Sequence, residues 1–79
     1  MAAENAADKL RVFYFFEKNQ QFLQCEVRNT DLPDTFAITV TEPDGGVRTQ
    51  YITGSQEVLR QWLALQNELT AAGWWGPLT

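Results

Sequence analysis

LRVFYFFEKNQQFLQCEVR, residues 10–28, is the stretch on which the fold turns. Its first half, Leu10 to Lys18, is dense in aromatic and β-branched side chains, the types that fit a pleated, half-buried surface. A polar break, Lys18-Asn19-Gln20-Gln21, follows, and Phe22 to Arg28 then alternates apolar with polar at the period of a strand. The two halves read as an antiparallel hairpin. A loop of two or four residues pairs Lys18 with Gln21, Phe16 with Leu23, Tyr14 with Cys25 and Val12 with Val27. One face then carries Leu10, Val12, Tyr14, Phe16, Leu23, Cys25 and Val27. The other carries Phe13, Phe15 and Phe22 among Arg11, Glu17, Gln24, Glu26 and Arg28. A three-residue loop would flip one strand. In either register the first strand shows apolar residues to both sides of the sheet.

Beyond the hairpin, Asn29 to Asp34 is a connecting loop in which Pro33 biases Leu32 away from helix. Thr35 to Glu42 alternates again, with Phe36, Ile38 and Val40 on one face and Ala37, Thr39 and Thr41 on the other. Glu42-Pro43-Asp44-Gly45-Gly46 is a turn: proline suits the first central position, and glycine supplies the positive φ that returns the chain. A four-residue loop sets Val47, Thr49 and Tyr51 beside the Phe36 face, and a three-residue loop with a bulge sets Arg48, Gln50 and Ile52 there. The hydrophobic pattern favours the first. A helix over residues 56–72 follows, with Ser55 as N-cap (Thr53 is the rival) and Glu57 near the positive end of the dipole. Val58, Trp62, Leu65, Leu69 and Ala72 recur at helical spacing as its buried stripe. Gly73 fits a left-handed C′ position, and a Schellman ending places Trp74 against Leu69. Such a helix spans roughly 25 Å, and strands of about eight residues roughly 27 Å. The helix is the right length to lie across the sheet.

The fold class expected is therefore α+β: a four-stranded antiparallel sheet of two hairpins, in meander order, closed on one face by a C-terminal amphipathic helix. The strands fall at about residues 10–18, 22–29, 35–42 and 47–53. Residues 1–9 read as a flexible N-terminal segment and residues 10–79 as a single domain, ending in a Trp-rich tail over 73–79. With 79 residues, such a chain buries only about 60–65% of its unfolded surface, so its stability margin is thin. Its 44% hydrophobic and 13% aromatic content nevertheless argues for a packed domain rather than a disordered one.

The same composition restricts function. The chain has no histidine, the commonest general base. Cys25 is the single cysteine, on the core face of a strand, so it forms no internal disulfide and reads as structural. Glu17 and Glu26 alternate with Arg11 and Arg28 as a solvated ion-pair surface, and Asp31 and Asp34 offer too few oxygens for a hard cation. No catalytic, metal or cofactor residue is assigned, and no enzyme is expected. The net charge is −4, and the basic residues Lys9, Arg11, Lys18, Arg28, Arg48 and Arg60 are scattered, which disfavours nucleic acid and anionic membranes. Residues 1–8 lack a basic n-region and an apolar h-region, and the longest apolar run, Val12 to Phe16, is too short to span a bilayer. A cytoplasmic location is the expectation.

Aromatic side chains on an open sheet face are how RRM and OB-type domains stack bases, and strands followed by one helix resemble Whirly-type single-strand binders in outline. Phe13, Phe15 and Phe22 would be the stacking platform in that reading. The turn, helix and tail look like those of small bacterial domains, a likeness that assigns no residue a role. Burial of the second face against a protein is the leading expectation, with a homodimer or another protein partner and a candidate interface of Phe13, Phe15, Phe22 and Trp75. Cover by the N-terminal segment or the tail competes with it. The tail is read as a lid in which Trp74 or Trp75 folds back onto Leu59 and Leu63, with one tryptophan left partly exposed. A small-molecule carrier with a pocket between helix and sheet is the third reading.

Overall fold

The computed structural model describes residues 10–78, so the expectation for residues 1–9 lies outside the described residues. The described residues form an α+β fold, with an antiparallel sheet and one helix packed after the first four strands. Strands β1 (Arg11–Lys18), β2 (Gln21–Asn29), β3 (Thr35–Thr41) and β4 (Val47–Thr53) form a meander, helix α1 (Ser55–Ala71) follows, and β5 (Trp75–Leu78) ends it. The order across the sheet is β4-β3-β2-β1-β5. The sheet thus has five strands rather than the four expected, because the Trp-rich tail pairs with β1.

The first hairpin closes through a two-residue loop in which both Asn19 and Gln20 have positive φ, 53° and 66°, as the twist of a tight hairpin requires. Lys18 pairs with Gln21, and the register runs through Phe16–Leu23 and Tyr14–Cys25 to Val12–Val27. Phe16, Leu23, Cys25 and Val27 are accordingly buried under the helix, with Ile38, Val40 and Ile52 from the other hairpin.

The second hairpin departs from the expected register. The Gly45 N–H donates to the Glu42 carbonyl at 2.8 Å, and the Glu42 N–H donates to the Gly46 carbonyl at 2.8 Å. Pro43, Asp44 and Gly45 are therefore a three-residue loop, with Gly45 at φ 94° taking the bulge position. Thr41 pairs with Val47, Val40 with Arg48, Ile38 with Gln50 and Phe36 with Ile52, which turns Arg48, Gln50 and Ile52 toward the helix. Turn chemistry overrides the hydrophobic pattern here because β4 is an edge strand. Its inward Arg48 stays exposed and pairs with Glu42 at 3.7 Å, Gln50 donates to Gln61 of α1 at 3.4 Å, and only Ile52 is buried.

Helix α1 begins one residue earlier than expected. Gly54, at φ 101°, holds the N-cap position, and neither Ser55 nor Thr53 caps the helix with its side chain. The Gly54 N–H is tied to the Asp34 carbonyl at 2.8 Å, so the chain passes from strand into helix with no residue to spare for a cap. Val58 and Leu69 are buried, Trp62 and Leu65 pack against the core, and Ala72 is exposed at the C-cap instead of in the stripe. The Trp74 N–H donates to the Leu69 carbonyl at 2.9 Å and the Gly73 N–H to the Thr70 carbonyl at 3.0 Å, a Schellman ending with Gly73 at φ 97°. Lys18, at the far end of β1, donates to the Ala72 carbonyl at 2.6 Å and sits 5.9 Å from the Trp74 ring. It places a cation at the negative end of a helix whose own last turn has none.

The chain reversal at Gly73 carries Trp75–Leu78 back along the edge of β1, with Glu17 opposite Trp75 and Phe15 opposite Leu78 across a bulge. Pro77 is tolerated because β5 is an outer strand. At Gly76 (φ 151°) an added Cβ would stand 2.9 Å from the Phe15 carbonyl oxygen and 2.9 Å from Phe16 Cδ2. Gly76→Ala is expected to detach β5, costing about 1–3 kcal/mol. Faster hydrogen exchange along β5, with a lower denaturation midpoint, would register the loss; an unchanged midpoint would show that the approach is not tight.

Candidate functional site

The side chains on the sheet face away from α1 form four ranks across the strands. The first is Arg11, Arg28, Ala37 and Tyr51, and the second is Phe13, Glu26, Thr39 and Thr49. The third is Leu78, Phe15, Gln24, Thr41 and Val47, and the fourth is Trp75, Glu17 and Phe22. Strand alternation in β1 and β2 and the return of β5 together bring Phe13, Phe15, Phe22 and Trp75 onto this one face.

Among the described residues, nothing covers these four. Phe13 is 44% exposed, Phe15 42%, Phe22 56% and Trp75 71%, whereas Phe16, one residue from Phe15, is fully buried on the other side. The tail does not cover them, because it extends the sheet sideways instead of lying over it. Nor do the tryptophans form the expected lid on the helix: Trp74 packs against the core, Trp75 faces out, and Leu59 and Leu63 remain exposed. Tertiary structure adds Leu78, beside Phe15, and Val47 and Tyr51 at the far edge. Val47 and Tyr51 belong here only through the three-residue turn, a signal present in Pro43-Asp44-Gly45 but outweighed by hydrophobic pattern.

Charge on this face is balanced and ordered. Arg11 donates through Nε to Glu26 at 2.5 Å, and its guanidinium lies 5.4 Å from the Phe13 ring. Arg28 stands directly opposite Arg11 in the first rank, and Glu17 stands in the fourth. A cleft of about 350 Å³ opens at the arginine end, lined in part by Arg11, Arg28, Asn29, Thr30 and Tyr51.

Elsewhere the chemistry is sparse. Burial pushes the Cys25 thiol up to about 11, with the nearby Arg48 charge opposing the shift only in part, so at neutral pH it is the un-ionised thiol. Among the described residues no cluster of His, Cys, Asp and Glu is suited to hold a metal ion, and no helix is long and apolar enough to cross a membrane. Compared with known proteins, the chain matches no family model, no curated protein and no solved structure.

Proposed function

We propose that this chain is a small non-enzymatic interaction module that self-associates through the outer face of its sheet. The observation that supports this is the contiguous group of Phe13, Phe15, Phe22 and Trp75, left open on one face of a folded domain with half-buried Leu78 beside Phe15. Rings held in rigid strands lose little conformational freedom when covered, so the binding energy of such a patch is concentrated in a few aromatic anchors. Two arginines and two glutamates on the same face sum to zero, which suits a second copy of the chain better than a polyanion.

Phe15 stands between Leu78 and Gln24 near the middle of the patch. Phe15→Glu is expected to raise the dimer dissociation constant by at least about 30-fold, since a carboxylate would be buried where a ring had been. Light scattering coupled to size-exclusion chromatography should report a dimer for the wild type and a monomer for the variant, both with the same circular dichroism. A wild-type monomer at high concentration would sink the proposal. Salt-sensitive binding of single-stranded oligonucleotide by that monomer would replace it with the base-stacking reading.

A further inference from the structure

We infer that two copies stack outer face to outer face about a two-fold axis that lies in the interface and runs perpendicular to the strands, so that Arg28 of each copy meets Glu17 of the other. This rests on the self-association proposed above and adds the geometry.

Two charges on this face have no partner among the described residues. Of the four charged side chains on β1 and β2 that face outward, Arg11 and Glu26 already hold each other. Among the described residues, Glu17 and Arg28 form no hydrogen bond or ion pair through their side chains. Both are half-buried, at opposite ends of the face. Six residues of extended chain separate the ranks of Arg11 and Glu17, about 20 Å, so the two cannot meet within one copy. Arg28 moreover stands opposite Arg11, a like-charge pairing that disfavours the strand contact unless an anion approaches.

Stacking of sheets about 10 Å apart admits two simple symmetric arrangements. A two-fold axis parallel to the strands sets each rank against itself, with arginines over arginines and Glu17 over Glu17. An axis perpendicular to the strands reverses the order of the ranks. The arginine rank then lies over the rank of Trp75, Glu17 and Phe22, and Phe13 lies over Phe15 of the second copy. Arg11 comes down on Glu17 of the second copy and Arg28 on Phe22, with that Glu17 one strand away, about 4.8 Å to the side. Arg11 is already held by Glu26, so Arg28 is the guanidinium left to turn to it. A guanidinium reaches that far and is also attracted to the ring face. Only this arrangement neutralises both unpaired charges, and its contacts are isologous, so each occurs twice.

Charge reversal tests the geometry separately from the association. Glu17→Arg alone and Arg28→Glu alone each replace two attractive contacts by two repulsive ones. Each is expected to raise the dissociation constant about 100-fold at low salt, about tenfold per contact. A 1:1 mixture of the two single variants should restore a dimer. In that mixture the Glu17→Arg chain carries arginine at both positions and the Arg28→Glu chain carries glutamate at both, so every contact between them is attractive. The double variant should dimerise by itself. If the single variants stay dimeric while Phe15→Glu is monomeric, the face is the interface but the axis is wrong, and the inference falls alone. It falls equally if the mixture remains monomeric. If the wild type is itself a monomer, the proposed function falls and takes the inference with it.

Discussion

Phe16→Ala is expected to cost about 3–5 kcal/mol of folding stability. Phe16 is fully buried in a cluster with Leu23, Cys25, Val40 and Leu69, and its ring meets Trp62 edge-on at 6.2 Å. Trp74 packs against the same cluster, and Gly76 closes over Phe16 Cδ2. Deleting the ring therefore leaves a cavity bounded by strand, helix and tail, which no single element can collapse to fill. A chain of 79 residues has a total stability on the order of 4–12 kcal/mol, so the variant would lose at least about a quarter of that margin and at most all of it. Urea denaturation followed by circular dichroism measures this directly. A midpoint within error of the wild type would mean that Phe16 is not the centre of the core.

Trp62→Ala is expected to cost a similar amount, about 3–5 kcal/mol, but to fail differently. The Trp62 ring stacks on Tyr14 with centroids 4.4 Å apart and planes at 30°, and it packs against both buried clusters, the one around Phe16 and the one around Ile38 and Ile52. With Tyr14 and Leu65 it bridges the two clusters into one core. Stacked aromatic pairs contribute about 0.5–1.5 kcal/mol beyond area, so Trp62→Phe, which keeps a ring over Tyr14, should recover part of the loss. Hydrogen exchange should show α1 losing protection in Trp62→Ala before the β1–β2 hairpin does. Equal loss in both elements would show that helix and sheet unfold as one unit and that Trp62 does not act as a bridge.

The outer face of the sheet has a separate logic. Core variants such as these act on folding, whereas Phe15→Glu and the charge reversals act on side chains that the domain leaves uncovered. Phe15 and Phe16 are consecutive residues that point to opposite sides of β1, and one is 42% exposed while the other is fully buried. The same strand therefore holds the domain together with one face and leaves the other open.

Local chemistry in the sequence determined much of this architecture. The alternation on either side of Asn19-Gln20 marks the β1–β2 hairpin, and the two-residue loop of the structure selects the register that separates Phe13, Phe15 and Phe22 from the core. Gly73 marks the helix end because a left-handed residue was needed there. What the sequence left undecided were features set by position in the sheet. In β4 the apolar residues suggested one face, but an edge strand exposes its inward side chains to water, so Arg48 and Gln50 are tolerated beneath the helix and the turn chooses the register. Trp75-Gly76-Pro77-Leu78 does not read as a strand, since glycine and proline disfavour one. It becomes β5 only because the Schellman turn delivers it to the open edge of β1, where a residue without a side chain can approach the Phe15 carbonyl. Lys18 likewise caps a helix 54 residues away, a contact no local pattern encodes. Periodicity and turn residues act over a few positions and are legible in the chain. Which edges lie open, and what fills them, depends on elements distant in sequence and is decided only when they pack.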